Sequence, residues 1–227
     1  MTSAGVDPAS DKALWLANAR RLLDDACYLA HGGRLPTAYF IAVIAAEEVG
    51  KVILVELAKE FTDIELDKAL RTHGPKQKAF AYLVMGEVFV DALMNNAKAI
   101  GAEGGSLQEV VRAFRVKYDG PNRNDTDPDP VIENIMKGVT DNQHQRLSAL
   151  ALYGLWQDIK HMMLYSDAEK KFNVQLGDFR NIETSCRRAL KALEDMDRAM
   201  LVAASMKSLY DRPEVKERMV KGKSNKK

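Results

Sequence analysis

The stretch that most constrains this chain runs from Ala38 to Ala46 almost without a polar residue and resumes after Glu47 and Glu48 as Val49, Val52, Ile53, Leu54 and Val55. Read as a helix opening near Pro36 and reaching about Phe61, its apolar residues go nearly all the way round, the pattern of a central helix rather than a surface one. A membrane-spanning helix needs about 20 apolar residues, and Glu47, Glu48 and Lys51 would sit near its centre at about 2.5–3.5 kcal/mol each. The segment therefore reads as the buried axis of a soluble domain, with no membrane partner.

The rest of the chain supplies helices to pack around that axis. Ser10 and Asp11 predict the cap of a first helix to about His31, with Leu16, Ala19, Leu23, Ala26 and Ala30 at three- and four-residue steps and Gly32-Gly33 as its end. A short helix is expected over 63–70, then a long one from Lys76 to about Ile100 after Thr72, His73, Gly74 and Pro75, and another over 106–118. Gly120 to Pro130, with three prolines, three aspartates and two asparagines, is a loop. Residues 131–165 read as largely helical, 166–179 as irregular, and Arg180 to Tyr210 as one last long helix closed by Arg212 and Pro213. No period-two alternation persists, so the expected fold is all-α, an antiparallel helical bundle with an extra C-terminal helix. A single domain over 11–212 is flanked by a flexible N-terminus, 1–10, and a tail, 213–227, whose stretch from Lys216 carries six basic residues against Glu217 alone.

A chain of 227 residues with 33 basic and 32 acidic side chains has no global field that marks it as a bulk binder of nucleic acid. Cys27 and Cys186 form neither a disulfide framework nor a zinc spacing, and the first residues lack the charged-then-apolar order of a signal peptide, so a cytoplasmic location is expected. Phosphate-loop, dinucleotide and zinc-protease fingerprints are missing from the sequence. Asp158 stands three residues before His161, but no Glu-x-x-His exists for a di-iron bundle, so neither a cofactor nor a metal is expected.

The chemistry-bearing candidates are charged residues in apolar surroundings. At about 100° per residue, Glu48 shares a stripe with Ile41, Ala45 and Val52, while Glu47 precedes Lys51 at the favourable i, i+4 spacing. At least one charge is then buried and needs a partner, with a basic residue from another helix expected opposite Glu48. Gly50 inside the same helix costs up to about 1 kcal/mol against alanine and points to a close approach. His73 and Lys76, with Lys78, open the next long helix, where cations oppose the macrodipole, so their expected role is to pair with Glu47 or Glu48. Two readings stand: a buried ion-pair network that fixes helix register, or a functional site.

Asn18-Ala19, Leu22-Leu23, Asp25-Ala26 and Leu29, then Ala45-Ala46-Glu47-Glu48-Val49-Gly50-Lys51, then His73-x-x-Lys76, then Lys160-x-x-x-x-Tyr165, resemble the AbiV-type abortive-infection proteins of the HEPN superfamily. The resemblance implies a helical HEPN bundle, commonly a homodimer, that defends bacteria against phage by stopping translation or damaging RNA. HEPN ribonucleases carry Arg and, a few residues on, His; here Lys160 keeps the charge and Tyr165 replaces the imidazole. A tyrosine with pKa near about 10, against about 6.5 for histidine, is a poor general base at neutral pH. Metal-free RNA cleavage would draw on Lys160, Tyr165 and His73 as catalytic groups, in a polar pocket with Glu47, Glu48, Lys51, Lys76, Asn18 and His161. Three functions follow as expectations: an effector that binds an RNA or a phage or host protein, a degenerate metal-independent ribonuclease, or a non-catalytic helical scaffold.

Overall fold

A computed structural model of the chain describes residues 8–102, 105–118, 130–140, 151–152, 156 and 174–211, and all regular structure among them is helical. In chain order the helices are α1 Pro8–His31, α2 Leu35–Glu60, α3 Leu66–Arg71, α4 His73–Asn95, α5 Ala97–Ile100, α6 Leu107–Tyr118, α7 Pro130–Thr140, α8 Leu176–Ala192 and α9 Met196–Tyr210. The expected all-α fold is what the chain adopts.

α2 is the axis. Fifteen of its 26 residues are buried, because α1, α4, α8 and α9 all pack on it and leave no apolar stripe to water. α1 lies antiparallel to it: Gly33, at φ 77°, lets the chain reverse, and the Arg34 amide donates back to Leu29 O at 3.0 Å. Trp15 in the first half of α1 thereby meets Lys51 in the second half of α2, and Lys12 pairs with Glu56 nearer its end. Leu23 and Ala26 of α1, Val49 and Ile53 of α2, and Phe80 and Leu83 of α4 are all fully buried in the main core. Phe80 also packs on the fully buried Trp156, ring centroids 5.7 Å apart.

A second, smaller core covers the far half of α4, where Val88 and Leu93 meet Val110 of α6 and Ile135 of α7, with Phe89 edge-on to Phe114 at 6.1 Å. α9 runs antiparallel to α4, since Glu87 pairs with Arg198 at 2.9 Å while Tyr82, earlier on α4, stacks on Tyr210, later on α9, at 6.0 Å. Two glycines make the tightest crossings. A Cβ on Gly50 would lie 2.7 Å from the Lys76 carbonyl carbon and closer still to its oxygen, and one on Gly86 would meet Val202 and Met206. α2 and α4 can touch backbone to backbone only because Gly50 has no side chain.

Several helix ends differ from expectation. α1 begins at Pro8, ahead of Ser10, because a proline at the first helical position has its φ already set and no amide to satisfy. The helix expected to run on to Ile100 stops at Asn95, because Asn96 leaves helical geometry and its side chain donates to Ala92 O at 2.8 Å; α5 follows as a separate turn. The expected Arg180–Tyr210 helix is two. Asp195 caps the second one through the Arg198 amide at 3.2 Å, after Glu194 and Asp195 have closed tight bonds to Lys191 O and Ala192 O. Part of the segment read as irregular is helix: α8 opens at Leu176 with a capping box between Gln175 and Asp178. The 120–130 loop lies outside the described residues except for Pro130, and the basic tail and residues 1–7 lie wholly outside them.

Replacing Gly50 by alanine forces α2 and α4 apart, and overpacking of this kind costs about 1–3 kcal/mol. The expected outcome in urea denaturation is a loss in that range for Gly50→Ala. Gly177→Ala in the first turn of α8, where nothing lies within 4 Å of the new methyl, should instead gain a few tenths of a kcal/mol. Equal effects at the two positions would show that the crossing is not tight.

Candidate functional site

Glu47 and Glu48 are neighbours in the chain but point about 100° apart around α2, and each is answered by a different helix face. Glu48, 8% exposed, accepts from Lys51 Nζ at 2.5 Å, and that ammonium sits 5.7 Å from the centroid of Trp15. They line an open groove of about 510 Å³ with Leu14, Asn18 and Arg21 of α1. Asn18 Oδ1 accepts from Arg21 Nη2 at 2.9 Å, and Arg21 Nη1 reaches Asp25 at 2.9 Å. Lys51 thus pairs with Glu48 at i, i+3, whereas the spacing predicted Glu47 at i, i+4. Glu47 turns away from Lys51 because the donors of α4 hold it.

Glu47 is 4% exposed and faces the first turn of α4. One carboxylate oxygen lies 2.7 Å from His73 Nδ1, the other accepts from Gln77 Nε2 at 2.7 Å, and Lys76 Nζ stands 4.0 Å away. His73, Lys76 and Gln77 fall at i, i+3 and i+4, one face of a helix, and the crossing at Gly50 presses that face onto α2. A carboxylate at a helix start also meets the positive end of the macrodipole, which favours it by about 0.3–1 kcal/mol and offsets the misplaced lysine. The expectation that the first-turn cations of α4 pair with the acidic residues of α2 holds for Lys76 and His73 with Glu47; Lys78 pairs with neither acid, and Glu48 is met by Lys51 of its own helix rather than by a base from another one.

Chemically, a carboxylate bonded to Nδ1 holds an imidazole in one orientation and favours the tautomer in which Nε2 is the basic nitrogen. His73 keeps 46% of its side chain exposed, so this pair has the geometry of an oriented proton acceptor and donor that a solute can reach. Lys76, 6% exposed, is packed away instead. Gln77, fully buried, has no signature in the sequence beyond its place four residues after His73 on the same face, and its Oε1 has no hydrogen-bond partner among the described residues. Lys160, His161 and Tyr165 lie outside the described residues. Among the described residues no group of His, Cys, Asp and Glu could hold a metal ion, both cysteines are free, and no helix is long and apolar enough to cross a membrane.

Removing one partner of a buried ion pair costs about 3–5 kcal/mol, whereas a partly exposed pair is worth about 1 kcal/mol or less. Glu47→Ala, which takes the carboxylate from buried Lys76, should therefore lower the free energy of unfolding by about 3 kcal/mol. Glu48→Ala should lower it by nearer 1 kcal/mol, since Lys51 keeps 21% of its side chain in solvent and can rehydrate. Urea denaturation of both variants checks the order, and a larger loss at Glu48 would place the register lock on the α1 side.

No curated protein and no solved structure matches the chain. Residues 12–176, well over half of it, match the sequence model of a HEPN family described as AbiV. The matched span holds the Glu47-Glu48-Val49-Gly50-Lys51 run and the His73-x-x-Lys76 pair whose packing has just been described, and by this match the chain belongs to the AbiV family of HEPN proteins.

Proposed function

We propose that the chain is an abortive-infection effector that shuts down translation or RNA function in phage-infected cells by binding a phage or host component rather than by chemistry. The observation that carries this reading is where the charges of its most distinctive motif go. Glu47 and Glu48 are 4% and 8% exposed and already have partners, Glu47 the donors of α4, which it locks to α2, and Glu48 the ammonium of Lys51 on its own helix, instead of being offered to a substrate. The missing Arg-to-His motif points the same way. In this reading the target is an RNA or a phage or host protein met on the helical surface, and the active form is a homodimer.

One observation favours a second reading, a metal-independent ribonuclease. His73 is held by a buried carboxylate at 2.7 Å yet is nearly half exposed, the arrangement a general base for a 2′-hydroxyl needs. Lys160 and Tyr165 would then complete the centre, Lys160 by stabilising phosphorane charge.

A bacterial cell-free translation system, supplemented with extract from phage-infected or uninfected cells, separates the two. The purified chain is added in the magnesium buffer that translation needs, labelled protein is counted, and the RNAs are resolved on a denaturing gel, with a parallel incubation of the chain and total RNA in EDTA to read metal-independent cleavage. The expected outcome is a several-fold fall in protein output with ribosomal, transfer and messenger RNA intact. A fall accompanied by RNA cleavage that vanishes in folded His73→Ala and Lys160→Ala would install the ribonuclease. Unchanged output in every mixture would overturn both and leave a helical scaffold.

A further inference from the structure

On the other side of the α4 start, away from the signature motif, a cavity of about 400 Å³ opens between the end of α2, α3, the first turns of α4 and the last turn of α9. That volume lies within the range of roughly 300–1,000 Å³ typical of sites for small molecules. Its walls are apolar, from Leu54, Leu57, Ile64, Ala69 and Pro75. Leu54, Leu57 and Ala69 are buried at 7% exposure or less, so the surface is built into the core rather than laid on it.

The polar groups in the cavity divide into those already committed and those that are not. Lys207, its side chain 9% exposed, gives hydrogen bonds to Asp211 at 2.6 Å and Asp63 at 3.1 Å and holds its ammonium 4.3 Å from the centroid of Phe61. Burial alone would lower its pKa, but the hydrogen bonds to Asp211 and Asp63 overcome that and the net shift is upward, so it is a fixed cation at any physiological pH. Lys68 pairs with Glu65 at 3.4 Å. The six charged residues lining the cavity, three acidic and three basic, balance overall, and Lys78 is the one with no ion-pair partner among the described residues, a cation left open to a ligand at the mouth.

Tyr82 is the second uncommitted group. Its hydroxyl makes no hydrogen bond among the described residues. Burial pushes its pKa well up, with Asp211, Tyr210 and Asp63 adding to the effect, so it stays a neutral donor. The side chain is half-buried and its hydroxyl still reaches solvent, so an acceptor carried by a ligand can meet it there. Lys78 and Tyr82 are four residues apart on α4, so they project from one face with their Cβ atoms about 5–6 Å apart. An ammonium and a phenol donor at that spacing, above apolar walls, suit an anionic oxygen group carried on a compact apolar body.

We propose that this cavity is a binding site for a small organic monoanion, its charged oxygens taken by Lys78 and Tyr82 and its apolar body by the wall of Leu54, Leu57, Ile64 and Ala69. The cavity also includes Thr72, the residue directly before His73, so an occupant touches the joint from which the Glu47–His73 pair is hung. That gives the chain a place where a small molecule can act on its polar centre. The inference rests on the cavity alone and stands apart from how the effector works.

The test is a fluorescence titration of the whole chain with anilinonaphthalene sulfonate, an apolar body bearing one anion, beside phenylnaphthylamine, the same body without the charge. One saturable site is expected. Lys78→Gln and Tyr82→Phe should each weaken the sulfonate by roughly tenfold, the size of one lost hydrogen bond to a charged group. Lys78→Gln should leave the neutral probe unmoved, and Ala69→Phe should abolish both by filling the cavity. Circular dichroism melts confirm folding, and Lys78, being exposed, keeps the test sound where Ala69→Phe does not fold. Three results would overturn the proposal: no saturable binding, equal affinity of the two probes for the unaltered chain, or binding indifferent to all three variants. Loss of the probe in Val111→Asp alone, in the apolar groove between α4, α6 and α9, would overturn it too by placing the probe there.

Discussion

The contact between Gly50 and the backbone of Lys76 is the constraint on which the remainder depends. It lets the first turn of α4 lie directly on the middle of α2, and at that distance the Glu47 carboxylate meets two side-chain donors and the positive end of a helix at once. A carboxylate this deeply buried would otherwise cost several kcal/mol. The glycine and the glutamate therefore form one device: the first creates the approach that the second requires.

From that crossing the two sides of α2 take different characters. Toward α1, Glu48 and Lys51 border an open groove with Trp15 and Asn18, where water reaches the ammonium. Toward α4, Glu47, Lys76 and Gln77 are sealed, and only His73 keeps a large exposed fraction. The same charges serve as a lock and leave one oriented imidazole at the edge of the lock. This is why a binding effector and a ribonuclease share one geometry, and why the behaviour of RNA rather than the fold separates them.

Interruptions of helices matter as much as the helices. Asn96 ends α4 so that α5, α6 and α7 can fold over its far half and make a second core, and the capping aspartate Asp195 lets α9 swing back along α4. That return brings Lys207 to the end of α2, where Asp63 and Asp211 neutralise it, and it closes one wall of the cavity that Lys78 and Tyr82 share.

The sequence by itself determined that the fold is all-α, that the helix around Ala38–Val55 is its axis, that Gly50 marks a close approach, and that His73 and Lys76 in the first turn of α4 serve one of the two acids. These are local properties: apolar periodicity, a glycine where helix propensity argues against one, and lysines where the macrodipole disfavours them all act within a few turns of one helix. The tertiary structure alone decided which acid meets which base. Glu47 and Glu48 differ by one residue of rotation, and the angle at which α1 and α4 cross α2, unreadable from any single helix, sends one to His73 and Gln77 and the other to Lys51. The breaks at Asn96 and Asp195 were equally hidden, because apolar spacing continues across both and only capping bonds formed in the folded chain reveal them. Gln77, Tyr82 and Lys207 gained their roles in the same way, from neighbours far off in the chain, and no spacing along one helix announces a partner 144 residues away.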